Sequence, residues 1–277
     1  MGIEIIKFII YSLIIVLISK YILVKLLRNI GETLGFSPKV VGEIAGFATS
    51  IPELLTVAFS AFSGLIGASV YNILSSNIIN SVQYVFSLRM SGNKRYLKSK
   101  LIRIDLILVI ATILIPIFLL IFHLELTVNI VLLFILFFII FYRISYKSHQ
   151  KHNKKIVKEV KDTESKSKRI FFMFKYLIYL ILVGIVLFLI GDKLSIVLEG
   201  LANTFKISEF ILGIALGFVT SIPELITFFE SQKYYTENES SDDEFGVVEA
   251  TNNLLFSNMF NLFIIQSIGA VIFVAVR

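Results

Sequence analysis

The sequence contains no cysteine, which excludes disulfides, thiolate metal sites and cysteine nucleophiles. Histidine occurs three times and never in a His-Glu-x-x-His arrangement, so a zinc-protease motif is absent. His123, His149 and His152 fall in or beside expected loops, where none can activate a serine within a span. Charge is scarce, at 17% of 277 residues. No stretch joins a basic start to a small-residue cleavage site, so the first apolar segment is expected to stay as a span. An enzyme is not expected. Apolar residues fill the space left, at 56% hydrophobic with a mean hydropathy of +0.85. That composition belongs to a polytopic membrane protein and not to a soluble domain.

A span needs about 20 apolar residues to cross some 30 Å of hydrocarbon. Eight segments meet that need, at about 5–24, 39–62, 65–88, 102–122, 125–146, 170–190, 207–230 and 246–274. The formal charge of +6 suggests nucleic acid only if its placement is ignored. Lys25, Arg28 and Lys39 lie between the first and second spans. Arg89, Lys94, Arg95, Lys98, Lys100 and Arg103 cluster between the third and fourth. Lys147–Arg169 is dense in lysine, and the links after the second and fourth spans are nearly free of basic residues. Basic loops mark the cytoplasmic side. The expected partners are therefore the lipid bilayer and cations, with no nucleic acid. The expected location is the plasma membrane, with the N-terminus outside.

Two halves are expected, 1–146 and 170–277, joined by a basic cytoplasmic linker at 147–169. The linker reads as solvated chain, with anionic lipid as the sharper alternative. Glu237–Glu244 holds five acids in eight residues. It reads as a polar loop, or as a vestibule that attracts cations. It lacks the spacing of an EF-hand.

One stretch is written twice. Gly42–Thr56 and Gly213–Thr227 share ten of fifteen positions at an offset of 171, including Thr-Ser-Ile-Pro-Glu in full. The alignment extends back through Leu23–Val41 and Leu194–Leu212. A second match pairs Asn72–Asn80 with Asn253–Asn261 at an offset of 181. The repeat units therefore span about 39–88 and 207–274, each behind a lead-in helix. The Pro-Glu segments are the second and seventh spans, so they cross the membrane in opposite senses, as in inverted-repeat transporters.

Glu53 and Glu224 each follow a proline near the middle of a span, where an ionisable group is costly unless paired or wetted. Pro52 and Pro223 have no N–H, which frees the carbonyls of Ala48 and Val219 four residues earlier. In hydrocarbon those carbonyls need another partner. Thr49, Ser50, Thr220 and Ser221 set hydroxyls beside them. Asn72, Ser76 and Asn80 share one helical face, as do Asn253, Ser257 and Asn261. Asn77 and Asn258 are secondary candidates. Glu43 and Glu249 are weaker ones, and Glu249 lies one turn before Asn253. Carboxylate, amide and hydroxyl oxygens suit Ca²⁺, Na⁺ or Mg²⁺ and disfavour zinc and copper. The plain alternative is that the Ser, Thr and Asn residues hold helices together by hydrogen bonds.

With both motifs doubled in this order, the chain resembles the cation/Ca²⁺ antiporter superfamily, the sodium/calcium and proton/calcium exchangers. The resemblance implies an all-α membrane protein working by alternating access. Glu53 and Glu224 would be its central acids, flanked by Asn80, Asn261, Ser76 and Ser257 and lined by Thr49, Ser50, Thr220 and Ser221. It implies transported Ca²⁺ and Na⁺ or H⁺, and no cofactor. This chain departs from the family pattern where glycines are replaced by Ala48 and Val219, Tyr71 and Asn252, and Ser75 and Phe256. Many sodium/calcium exchangers carry aspartate at one of the positions of Asn80 and Asn261. The family has ten spans, as five plus five, against five plus three here. The expected activity is secondary Ca²⁺ antiport. The alternatives are another divalent ion such as Mg²⁺, or a non-transporting cation-binding relative. Monomer and homo-oligomer are both left open.

Overall fold

The computed structural model describes residues 2–23, 25–26, 29–31, 36–122, 128–159, 166–206, 208–237 and 243–276. Within them the chain is helical. In order, α1 is Gly2–Ile18, continued by a wide π turn at Ser19–Leu23, and α2 is Pro38–Thr49. Then come α3 Ile51–Phe62, α4 Ile66–Met90, α5 Lys100–Ile121, α6 Val128–Glu159 and α7 Lys166–Phe205. The second copy gives α8 Glu209–Thr220, α9 Ile222–Glu237 and α10 Asp243–Met259. A π segment at Phe260–Ile265 leads into α11, Gln266–Val276. Among the described residues, six stretches are long and apolar enough to cross a membrane: Ile3–Leu23, Pro38–Phe62, Ile102–Ile121, Asn129–Gln150, Glu209–Thr236 and Glu244–Val276. The remaining two expected spans, at 65–88 and 170–190, lie within α4 and α7. In α4, the Asn and Ser residues dilute the apolar content.

Sequence explains where the helices stop. Ser37 precedes Pro38, and proline is well placed in a first turn because its missing N–H would have no partner there. Ser208 caps α8 by accepting the N–H of Ile211 at 3.4 Å. Gly64 and Gly92 take φ of +77° and +73° just beyond α3 and α4, a conformation that disfavours any residue with a Cβ.

Two parts of the chain carry more helix than the sequence reading named. In the basic stretch 147–169, α6 continues to Glu159 and α7 begins at Lys166. Lys, Gln and Glu are good helix formers, and nothing in 147–159 breaks a helix already begun. Residues 160–165 lie outside the described residues. The lead-in of the second copy is continuous with α7, which runs 40 residues to Phe205. The acidic stretch at 237–244 is bounded by the end of α9 and the start of α10, and 238–242 lie outside the described residues.

The bundle is inside-out relative to a soluble protein. Ile3, Ile6, Leu13, Leu132, Leu136, Ile181, Ile185 and Leu189 are exposed on α1, α6 and α7. Glu53, Glu224 and the Asn residues of α4 and α10 are buried. Lipid accounts for that reversal. At the centre, α2 packs along α10 and α8 packs along α4. One apolar cluster joins α1 and α7 to this centre through Ile15, Leu187, Leu194, Leu212 and Leu216. A second joins α5 and α6 through Leu108, Val109 and Phe134.

The repeated glycines set the central crossings. A Cβ on Gly46 would come within 2.6 Å of the Asn253 carbonyl oxygen, and one on Gly213 within 2.7 Å of the Ala68 carbonyl oxygen. Gly217 likewise meets Asn72 O at 2.9 Å. Helix backbones therefore touch at equivalent points in both copies. This offsets the glycines replaced on the Asn-rich helices: Phe256 and Ser75 lie opposite Gly46 and Gly217, which supply the small side of each contact.

Candidate functional site

Both Pro-Glu spans break at one residue. Ser50, with φ −82° and ψ −1°, separates α2 from α3, and Ser221, with φ −78° and ψ −5°, separates α8 from α9. Pro52 and Pro223 follow two residues later, where the missing N–H forces the break. Backbone bonds still run through each break, from Ser50 N–H to Gly46 O and from Ser221 N–H to Gly217 O, each at 3.2 Å. Glu53 and Glu224 stand in the first turns of α3 and α9, where the helix dipole favours a carboxylate.

All ten primary candidates are buried. Thr49, Ser50, Glu53, Ser76, Asn80, Ser221, Glu224, Ser257 and Asn261 are 0% exposed, and Thr220 is 3% exposed. Ser257 donates to Glu224 Oε1 at 3.0 Å and pairs with Ser50 across 3.0 Å. The carboxyls of Glu53 and Glu224 lie close enough to feel each other's charge, and the Thr220 hydroxyl sits beside Glu53. Ser76 turns inward to its own helix, donating to Asn72 O at 2.7 Å.

The secondary candidates split into two roles. Asn72 donates to Thr56 Oγ1 at 2.7 Å, and Asn253 donates to Thr227 Oγ1 in the same way. Those threonines in turn donate to the Glu53 and Glu224 carbonyl oxygens, at 3.0 and 2.8 Å. Each Asn-rich helix is thus tied to its own Pro-Glu helix. Asn77 and Asn258 instead tie the copies to each other. Each donates to the other's backbone carbonyl at 3.2 Å. The Asn258 side-chain carbonyl accepts from Asn80 and that of Asn77 from Asn261, each at 3.4 Å. The four bonds form two equivalent pairs with matching lengths.

This quartet fixes which end of Asn80 and Asn261 faces the cluster. Their NH₂ groups are engaged, so their Oδ1 atoms are left without a protein partner. Among the candidate residues, the buried oxygens in the same condition are both of Glu53, Oε2 of Glu224, Oγ of Ser221 and Oδ1 of Asn253; unpartnered atoms also occur on Ser12, Ser60, Gln83, Asp105, His149 and Gln266. The seven candidate atoms are all oxygens, from residues the sequence singles out. Buried polar groups are ordinarily satisfied, so such a set needs an explanation. No group of three or more His, Cys, Asp and Glu side chains gathers among the described residues. Any cation held here would therefore draw on amide and hydroxyl oxygens as well as carboxylates.

Sequence reasoning missed a second polar layer. Lys39 reads as a surface charge marking topology, yet it is 1% exposed. Its Nζ contacts Ser145 Oγ at 2.7 Å, Asn252 Oδ1 at 2.7 Å and Glu43 Oε1 at 2.9 Å. His149 is not in a loop but on α6, where Nε2 lies 2.7 Å from Asp105 Oδ2, with both residues fully buried. Glu249 is buried and accepts from Ser231 at 2.7 Å. An acid three residues into a span, facing a histidine near the end of the next, is the signal that points to Asp105 and His149.

Buried oxygens at the breaks of two half-helices, inside a bundle with an apolar exterior, are the mark of a membrane transporter of cations. The chain belongs to the sodium/calcium exchanger protein family, whose model matches residues 5–147 and 175–276. It is thus an integral membrane transporter that exchanges cations, and not an enzyme. Among solved structures it is similar to the sodium-calcium exchanger NCX_Mj soaked with 10 mM Na⁺ and zero Ca²⁺. The two are 21% identical with a TM-score of 0.57, over 98% of this chain and 84% of that one. With the same exchanger soaked in 100 mM Na⁺ and 10 mM Sr²⁺, identity is 21% and the TM-score 0.57, covering 98% and 83%. In zero Na⁺ and Ca²⁺ the figures are 22% and 0.52, covering 98% and 83%. At that identity the likeness carries the fold alone. No curated protein matches the chain.

Proposed function

We propose that this chain moves Ca²⁺ across the membrane in exchange for Na⁺ or H⁺, through one site shared by the two repeats. The observation that carries the reading is the set of seven buried, unpartnered oxygens from Glu53, Glu224, Asn80, Asn261, Asn253 and Ser221. Ca²⁺ takes about 6–8 oxygen ligands in adaptable geometry, whereas Mg²⁺ demands a tighter octahedron and keeps several waters. Glu53 and Glu224 would be the charged ligands. Asn80 and Asn261 add neutral carbonyls, and Thr49, Ser50, Thr220, Ser221, Ser76 and Ser257 line the site. Pro52 and Pro223 maintain the breaks.

In this reading the halves 1–146 and 170–277 each supply one Pro-Glu helix and one Asn-rich helix, while α1 and α7 move to open each side. The N-terminus lies outside a plasma membrane and the basic segments lie in the cytoplasm. The test is ⁴⁵Ca²⁺ uptake by proteoliposomes holding the purified protein, under a Na⁺ gradient and separately under a pH gradient. Uptake under one gradient supports the reading and names the counter-ion. No uptake under either contradicts it.

A further inference from the structure

Apart from the Glu53–Glu224 cluster, α4, α5, α6 and α11 border a cavity of about 490 Å³. Pro116 stands in its wall, inside α5, and a proline there removes a backbone bond and bends the helix. Gly67 and Ala270 add little bulk to the facing walls. Ile73, Phe134 and Leu262 are buried parts of the lining, whereas Val274 lines the cavity and is 65% exposed. The cavity is therefore continuous with the lipid-facing exterior. Among the described residues, Gln266 is the one polar side chain of this wall. It is buried, and neither Nε2 nor Oε1 of its amide has a protein partner. Buried polar groups are ordinarily satisfied, so a donor and an acceptor together call for a group that both gives and takes a hydrogen bond. The Gln266 backbone N–H donates to the Asn261 carbonyl oxygen across the π turn. Leu262, next to Asn261, lines the cavity as well, so an occupant bears on the segment that carries one oxygen of the cluster.

We infer that the cavity binds one long-chain fatty acid from the bilayer, with its neutral carboxyl group at Gln266 and its chain leaving along the apolar wall into the surrounding lipid. The acid O–H donates to Gln266 Oε1 and the acid carbonyl accepts from Nε2, so both amide atoms are satisfied by one group. No charged residue lines the cavity among the described residues, so an ionised carboxylate would be uncompensated there while the neutral acid is not. Depth argues against an intact phospholipid. Gln266 opens α11, which ends at Val276, so it lies about 15 Å below that end, near the middle of some 30 Å of hydrocarbon. A phospholipid keeps its head group and esters at the membrane surface and brings only a chain terminus to that depth, which offers no hydrogen bond.

The chain has no tryptophan, so Phe273→Trp places a single reporter in the cavity wall. The full chain, purified in detergent, is titrated with brominated stearic acid and separately with its methyl ester, which cannot donate. Quenching by the acid should saturate at one molecule per chain. The ester should bind about tenfold more weakly, the worth of one hydrogen bond to a buried amide. Adding Gln266→Met should bring acid and ester within twofold of each other while quenching still saturates. Val271→Trp, on the exposed exterior, should show only quenching that rises without saturating. Equal affinity for acid and ester at Phe273→Trp means a slot for any acyl chain and overturns the assignment. A tenfold preference that survives Gln266→Met overturns it too, as does quenching at Phe273→Trp that never saturates. Leu119→Trp, on the α5 side of the cavity, repeats the titration should Phe273→Trp be lost on size exclusion.

Discussion

Replacing Lys39 with Met tests whether the buried polar layer beside the site is held together by charge. The Lys39 Nζ makes three contacts, at 2.7, 2.7 and 2.9 Å, and the side chain is 1% exposed while that of Glu43 is 13% exposed. Methionine fills much the same volume but leaves the Glu43 carboxylate without its partner. Removing one member of a buried ion pair costs about 3–5 kcal/mol. At roughly 2–4 °C per kcal/mol for a chain of this size, the melting temperature should fall by about 6 °C or more. Lys39→Met with Glu43→Gln removes both charges, and the double variant should recover most of that loss. The assay is thermal unfolding of the detergent-purified protein, read by intrinsic tyrosine fluorescence or size-exclusion recovery. A single variant melting within 2 °C of wild type would refute the reasoning, and so would a double variant melting as low as the single one.

Four further outcomes follow from the same geometry. Gly217→Val should displace α8, because its Cβ would stand 2.9 Å from Asn72 O; overpacking of this kind costs about 1–3 kcal/mol or more. Gly184→Ala meets nothing within 4 Å and should be neutral or mildly stabilising in the same melting assay. Asp105→Ala should destabilise by about 2–4 kcal/mol through the buried His149 left behind, measured by the same melts. Asn77→Ala and Asn258→Ala should each cost about 1–2 kcal/mol, and the double variant should cost less than their sum because the two side chains serve one pair of bonds.

What the sequence discloses here follows from depth and repetition. Glu53 and Glu224 are legible because an acid after a proline inside an apolar run has few bland explanations, and because it occurs twice. The helix breaks at Ser50 and Ser221 follow from proline chemistry. The spacing of Asn72, Ser76 and Asn80 places them on one face but does not say what they meet. In the structure Asn72 and Ser76 turn to local partners while Asn80 faces the cluster. Nor does spacing disclose that Asn77 and Asn258 clasp across the copies, since that contact joins residues 181 apart. The buried partners of Lys39 and His149 are illegible in the sequence for a related reason. Charges at span ends look alike whether they meet water or a neighbouring helix, and hydropathy cannot separate the two. The helix beyond residue 147 was hidden because polar composition marks solvent exposure and carries no sign of a helix ending.

The central claim is that one cation site is shared by Glu53 and Glu224, and Glu-to-Gln substitution addresses it most directly. Gln keeps the size and a carbonyl oxygen while removing the charge. Proteoliposomes of wild type, Glu53→Gln and Glu224→Gln, matched for inserted protein, would be assayed side by side for ⁴⁵Ca²⁺ uptake under the gradient that drives the wild type. The account expects both variants to insert normally and to lose uptake at least a hundredfold, equally from either repeat. Wild-type uptake by either variant would contradict it.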